Sequence, residues 1–156
     1  IDSEVQRNLR SSSYNERFAE LKIAEKELNV EYLGSVKTED YLPSKFTNPI
    51  VAKRAKHVIF ENDRVLKAKE SIFNNDIKKF GNLMNESHQS YSNDFEASTK
   101  DVDKIVEKSI ECGAFGARLT GGGFGGFTVS LIKKGQFSNW YNKINQIYPS
   151  DKIFEV

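Results

Sequence analysis

Residues 120–126 read Thr-Gly-Gly-Gly-Phe-Gly-Gly, and this run constrains the fold more than any other part of the chain. Five glycines in six positions permit positive backbone angles and let another backbone or an anion come close, but they cannot hold a helix. The flanking residues 115–120 and 127–132 look like short strands, the second rich in β-branched and aromatic residues. By itself such a run reads first as a flexible hairpin tip. The chemical reading is a loop lying against a bound phosphate or its binding loop, with successive amides forming a nest for negative charge.

Three phosphate-site classes fail on context. Gly121, Gly123 and Gly126 match the spacing of the dinucleotide fingerprint, but that fingerprint needs a helix directly after the loop, and a strand-like run follows here. No Gly-Lys-Ser/Thr follows the glycines, as a Walker A loop requires. The catalytic and metal-binding elements of protein kinases are also absent from the sequence.

Ahead of the loop the periodicity is helical. Ser13 with Glu16 resembles a capping box, followed by Tyr14, Phe18, Leu21 and Leu28 on one face. Residues 32–47 look irregular. Asn48-Pro49 starts a second helix whose stripe is Val51, Ala55, Val58, Ile59, Val65 and Leu66. A third begins near Asp76, with Ile77, Phe80, Leu83, Met84, His88 and Tyr91 inward. Ser98 with Asp101 suggests the cap of a fourth, which Gly113 ends. Residues 136–147 form a last helical pattern with Phe137, Trp140 and Ile144 inward, and residues 1–5 and 153–156 are expected as further strands. Helices beside a small, mainly antiparallel sheet make an α+β, two-layer domain.

At 156 residues the chain is most simply one domain, and its eleven Phe, six Tyr and one Trp supply core material. A formal net charge of +1 predicts no strong attraction to nucleic acid or membrane, and no apolar run is long enough to span a bilayer. The lone Cys112 forms no internal disulfide, which favours a reducing, cytoplasmic setting, and no signal-peptide pattern is evident. The opening at Ile1 is expected to lie inside a longer protein.

Four blocks, in order, carry a resemblance. Gly116-Ala-Arg-Leu-Thr120 through Gly126 resembles the third motif of the GHMP small-molecule kinases in its galactokinase form. Ser13-Tyr-Asn-Glu-Arg17 is similar to that family's Ser-x-Tyr-Asn-x-Arg segment, and Arg54-Ala-Lys-His-Val58 with Glu61-Asn-Asp-Arg-Val65 is similar to its second block. Leu83-Met-Asn-Glu-Ser-His88, then Asn93-Asp-Phe-Glu-Ala-Ser98, resembles the remaining run. Leu119, Phe127, Ser92 and Thr99-Lys100 depart from the usual residues, and none of these changes removes a catalytic group.

The resemblance implies a ferredoxin-like carboxy-terminal domain over residues 1–156, with the phosphate loop and catalytic base in an absent amino-terminal half. It implies transfer of the γ-phosphoryl of ATP to the anomeric hydroxyl of D-galactose, with ATP and Mg²⁺ held mainly by that other half. An N-acetylgalactosamine-type kinase and a non-catalytic galactose- and ATP-sensing homologue share these blocks. Tyr14 is the substrate-binding residue carried over, and Thr120, Gly121, Gly122, Gly123, Phe124, Gly125 and Gly126 form the phosphate-proximal loop. No catalytic or metal-binding residue is expected in this chain. Alone it is expected to fold, to be inactive and to self-associate. His88 reads as a core or capping histidine, and Asp94 and Glu96 as helix-cap and loop-fixing groups that brace the glycines, with Arg118 either pairing with one of them or facing phosphate.

Overall fold

The computed structural model describes residues 1–5 and 12–155. Helix α1 (Ser12–Leu28) leads through three short 3₁₀ turns to α2 (Pro49–Phe73) and α3 (Ile77–Asn93). Helix α4 (Lys100–Glu111), strands β1 (Gly116–Leu119) and β2 (Thr128–Leu131), and helix α5 (Phe137–Ile144) follow. The strands pair antiparallel, Gly116 opposite Leu131 and Leu119 opposite Thr128, so the glycine run is the connection of a hairpin. This is the expected α+β arrangement.

Helix starts follow local chemistry. The Asn48 side chain accepts from the Ile50 amide and Pro49 occupies the first turn; Asp76 accepts from the Lys79 amide. The fourth start is displaced by one residue. Thr99, not Ser98, caps α4 by accepting from the Val102 amide, while the Ser98 hydroxyl donates to Asp103. Ser13 lies inside α1, and the residues just before that helix fall outside those described.

Two apolar clusters form the core. One joins α1, the irregular segment and α2 through Ala24, Leu33, Phe46, Val51, Ala55 and Ile59. The other gathers Ile1, Ile105, Cys112, Trp140, Ile144 and Ile153, and the Trp140 indole donates to the Ser109 carbonyl at 3.0 Å, tying α5 to α4. The stripes of α1 and α2 extend past this core: Tyr14, Phe18, Val65 and Leu66 are exposed. A repeating apolar pattern marks a face but not how far the neighbouring element runs along it.

Helix α3 covers the outer edge of β1. The Asn85 side chain accepts from the Ala117 amide at 2.9 Å and His88 Nδ1 from the Leu119 amide at 3.3 Å, so the strand's outward donors meet side chains instead of water. The approach is close because both surfaces lack a side chain. A Cβ on Gly81 would stand 2.5 Å from the Phe115 carbonyl oxygen, and one on Gly116 would collide with the Gly81 backbone. The two expected terminal strands are largely absent as strands: residues 1–5 contribute one bridge, Asp2 with Phe127, and 153–155 pair with nothing in a ladder. Val156 lies outside the described residues.

Candidate functional site

The glycine loop divides into an anchored half and a presented half. Gly123 through Gly126 all have positive φ, and Phe124, at +60°, is the one residue among them for which that is costly. Its amide donates to the Ala97 carbonyl at 2.7 Å, which holds the conformation. Gly123 is buried against the same residue: a Cβ there would meet the Ala97 oxygen at 2.5 Å and the Tyr91 hydroxyl at 2.7 Å. Gly126 accepts from the Ser3 amide at 3.0 Å. Thr120, Gly121 and Gly122 are exposed. The Phe124 amide is therefore committed to the protein, and only the 120–122 end faces outward.

Tyr14 meets that end. It stands in the first turn of α1, is 60% exposed, and its ring edge lies 4.0 Å from where a Gly122 Cβ would be. A phenol beside a bare backbone offers an apolar ring edge and a hydroxyl next to a surface with no side chains. The two sequence-derived site elements, more than a hundred residues apart, thus share one place.

What brings them together is a buried guanidinium that the sequence reading did not single out. Arg54 on α2 is 2% exposed. Its Nη1 donates to the Asp94 carbonyl at 2.6 Å, its Nη2 to the Glu96 carboxylate at 2.7 Å and its Nε to Glu20 at 2.9 Å. Arg17, one turn beyond Tyr14, donates to the Phe95 carbonyl at 2.7 Å and to the same Glu20 at 3.0 Å. The linker 94–97, from which Ala97 holds Phe124, is fastened on one side to α1 and on the other to α2. Burial alone would lower the Arg54 pKa; Glu96 and Glu20 outweigh it and raise it, and the Arg54 hydrogen bond in turn holds the Glu96 carboxyl below its ordinary value. A charge falling on the apolar stripe between Val51 and Val58 was the available signal.

Asp94 and Glu96 do fix the linker under the loop, but Arg118 is not their partner. It donates to Glu61 on α2 at 3.1 Å, bracing β1 there. Glu61 also accepts from Ser87 and Arg64, so the three form one network with Arg118. Burial would raise the Glu61 pKa; Ser87, Arg118 and Arg64 together lower it. His88, besides capping the β1 edge, is buried and places Nε2 3.0 Å from Asp103. A cavity of about 380 Å³ lined by Val65, Phe80, Leu83, Met84 and Leu131 shares no residue with the loop or Tyr14.

Among the described residues no group of His, Cys, Asp and Glu is placed to hold a metal. The reason is visible: Glu20 and Glu96 are paired with arginine, and Asp103 takes Ser92, Ser98 and His88. The residues here do not fit Mg²⁺.

His57 packs on the linker, stacked 4.8 Å from the Phe95 ring, with Nδ1 3.0 Å from the Ser90 hydroxyl. Burial lowers its pKa from 6.5 to about 4, against the upward pull of Glu61 and Asp94. Between those values the unfolded chain binds the proton and the folded one does not, so stability falls as pH drops from about 6.5 to 4, by about 3 kcal/mol in all. Thermal midpoints across that range should show the decline, and His57→Gln should reduce it, leaving the share of His88, whose pKa burial also lowers. Arg54→Met should cost about 3 kcal/mol in denaturant unfolding, because the Asp94 carbonyl and the Glu96 carboxylate lose this donor and Glu20 keeps only Arg17.

Comparison with known proteins follows the same geometry. The family model described as the C-terminal domain of GHMP kinases matches residues 68–150. The galactokinase of Clostridium acetobutylicum is 40% identical, over 94% of this chain and 39% of its own length. That of Enterococcus faecalis is 36% identical, over 98% of this chain and 41% of its own. A crystal structure of Lactococcus lactis galactokinase complexed with galactose superposes with a TM-score of 0.87 at 32% identity, covering 94% of this chain and 40% of that one. The chain thus spans about two fifths of the length of these relatives. With its glycine loop, its helix-covered hairpin and a family match over more than half its length, this chain belongs to the GHMP kinases and represents their C-terminal domain.

Proposed function

We propose that residues 1–156 are the C-terminal domain of a galactokinase, which transfers the γ-phosphoryl of ATP to the anomeric hydroxyl of D-galactose in the cytoplasm. The observation that carries this reading is the meeting of the Tyr14 ring with the exposed end of the glycine loop at Gly122. Likeness to galactokinases over nearly the whole chain supports the choice of sugar, and the buried lone Cys112 suits a reducing compartment.

In this reading each element has a physical task. The Tyr14 phenol lies against the sugar and hydrogen-bonds a hydroxyl. The bare backbone of Gly121 and Gly122 lets the phosphates come close, and the Arg54 cluster keeps loop and phenol at a constant separation. Phosphoryl transfer depends on positioning and on stabilising spread negative charge. This chain supplies the positioning. The carboxylates around the linker, Glu20 and Glu96, are tied to arginine, and in this reading the Mg²⁺ ligands and the base are supplied by the rest of the longer protein.

The test is ATP consumption by the longer protein across a panel of sugars. Galactose-dependent turnover is expected, with none from the isolated 156 residues. Turnover on other sugars with galactose inert, or no turnover on any, would overturn the reading; N-acetylgalactosamine as the sole substrate would move it to the amino-sugar kinases.

Gly123→Val should lower turnover by about 100-fold or more, the scale of losing one preorganised contact. Any Cβ there presses on Ala97 and Tyr91 at a φ of +87°, which displaces the loop from its anchor. A cooperative thermal transition should persist, since the loop is a connection. Turnover and thermal midpoint measured on the same protein separate the two effects.

A further inference from the structure

Tyr91 stands in the last turn of α3 and meets the glycine loop by two routes. Its carbonyl accepts from the Ala97 amide at 3.1 Å, and the Ala97 carbonyl accepts in turn from the Phe124 amide at 2.7 Å. Its hydroxyl reaches the same loop directly, 2.7 Å from where a Gly123 Cβ would be. Backbone and side chain of one residue thus close a circuit of contacts through Ala97, Phe124 and Gly123. The two routes act in opposite senses. The hydrogen bonds draw the loop toward the linker, and the phenol oxygen limits how far it can come, since close-packed atoms resist nearer approach.

That limit is stiff. A tyrosine hydroxyl sits at the end of a rigid ring with two side-chain torsions, and here two neighbouring rings wedge it. Tyr91 packs edge-on against His57, centroids 5.3 Å apart at 73°, and tilted against Phe95 at 5.5 Å. His57 is itself oriented. The Ser90 hydroxyl donates to Asp94 at 3.0 Å, so it accepts from His57 Nδ1. The three rings come from α2, α3 and the α3–α4 linker and form a floor beneath the loop. Gly123 is the counterpart of the Tyr91 oxygen: at a φ of +87° its missing Cβ would point at that hydroxyl and at Ala97.

We propose that Tyr91 is a positioning residue: its hydroxyl is the stop against which Gly123 rests, and it thereby sets the separation between the exposed backbone at Gly122 and the Tyr14 ring. Gly122 is the next residue in the chain, so a displacement of Gly123 passes to it directly. The consequence for phosphoryl transfer rests on the kinase reading above; the contact itself does not. Arg54 fastens the linker from the side of α1 and α2, whereas Tyr91 fixes the height of the loop above that linker. With the oxygen removed, the pull toward Ala97 acts without its stop and the loop settles inward, away from the place where it meets Tyr14.

Tyr91→Phe in the longer protein tests this, because it removes one atom and keeps the ring packing. It should lower kcat by about 10-fold, a fraction of the roughly 100-fold that a misplacement of about 1 Å can cost. The KM values for galactose and ATP should stay within about twofold, the pattern of a contact realised only in the transition state. The thermal transition should remain cooperative. With the protein labelled at glycine nitrogen, the amide signals of Gly121 and Gly122 should move, while those of Gly34 and Gly113, in other parts of the fold, should not. Unmoved signals at Gly121 and Gly122 overturn the stop. Unchanged kcat, or a loss of turnover that only follows a loss of folded protein, overturns the positioning role. Moved signals in a longer protein that turns over no sugar would keep the stop and sink the kinase reading, and unmoved signals in an active kinase would do the reverse.

Discussion

The fork of Arg54 is the interaction on which the rest depends. One planar side chain reaches a carboxylate on α1, a carbonyl and a carboxylate on the α3–α4 linker, and does so from inside α2. A lysine at this place would be a point charge on a flexible stem and could not hold three acceptors in fixed directions. Burying a guanidinium is costly unless every direction is answered, and here Glu20 and Glu96 answer it from two different elements. The geometry of the linker follows from that demand, and the geometry of the glycine loop follows from the linker.

The loop shows the same logic on a smaller scale. Glycines at 123–126 serve close contact and left-handed backbone, so their role is to seat the loop on Ala97, Tyr91 and Val5. The outer glycines 121 and 122 stay exposed because the inner ones seat the loop. A site made of backbone and one phenol carries no formal charge of its own.

The hairpin places this loop, and its two edges are managed differently. On β1, the glycine pair 81 and 116 lets α3 come near enough for Asn85 and His88 to reach backbone amides. His88 is therefore committed at both nitrogens to structure, one to Leu119 and one toward Asp103. A histidine in a recurrent motif invites a catalytic reading, yet its contacts are those of an edge cap. The edge of β2 away from β1 instead meets Ile1, which exchanges two backbone hydrogen bonds with Thr128.

What the sequence by itself determined were the features that act within a few residues. The caps at Asn48 and Asp76, the glycine run between two short strands and the helix stop at Gly113 were all legible, because side chain and backbone partner lie within one turn. The same range explains the errors. At 98–99 two hydroxyls compete for one cap, and Thr99 wins because Ser98 is drawn to Asp103. The stripe of α2 continues to Leu66 although its neighbours end sooner. Only the tertiary structure decided that Arg54 is buried, that Arg118 turns to Glu61 and that Tyr14 lies beside Gly122. A buried charge takes its position from partners 34 to 42 residues away, and a ring edge from a loop more than a hundred residues on. Such contacts have no local spacing to read, since they exist only once several elements have packed and each polar group has found the one neighbour that offsets its loss of water.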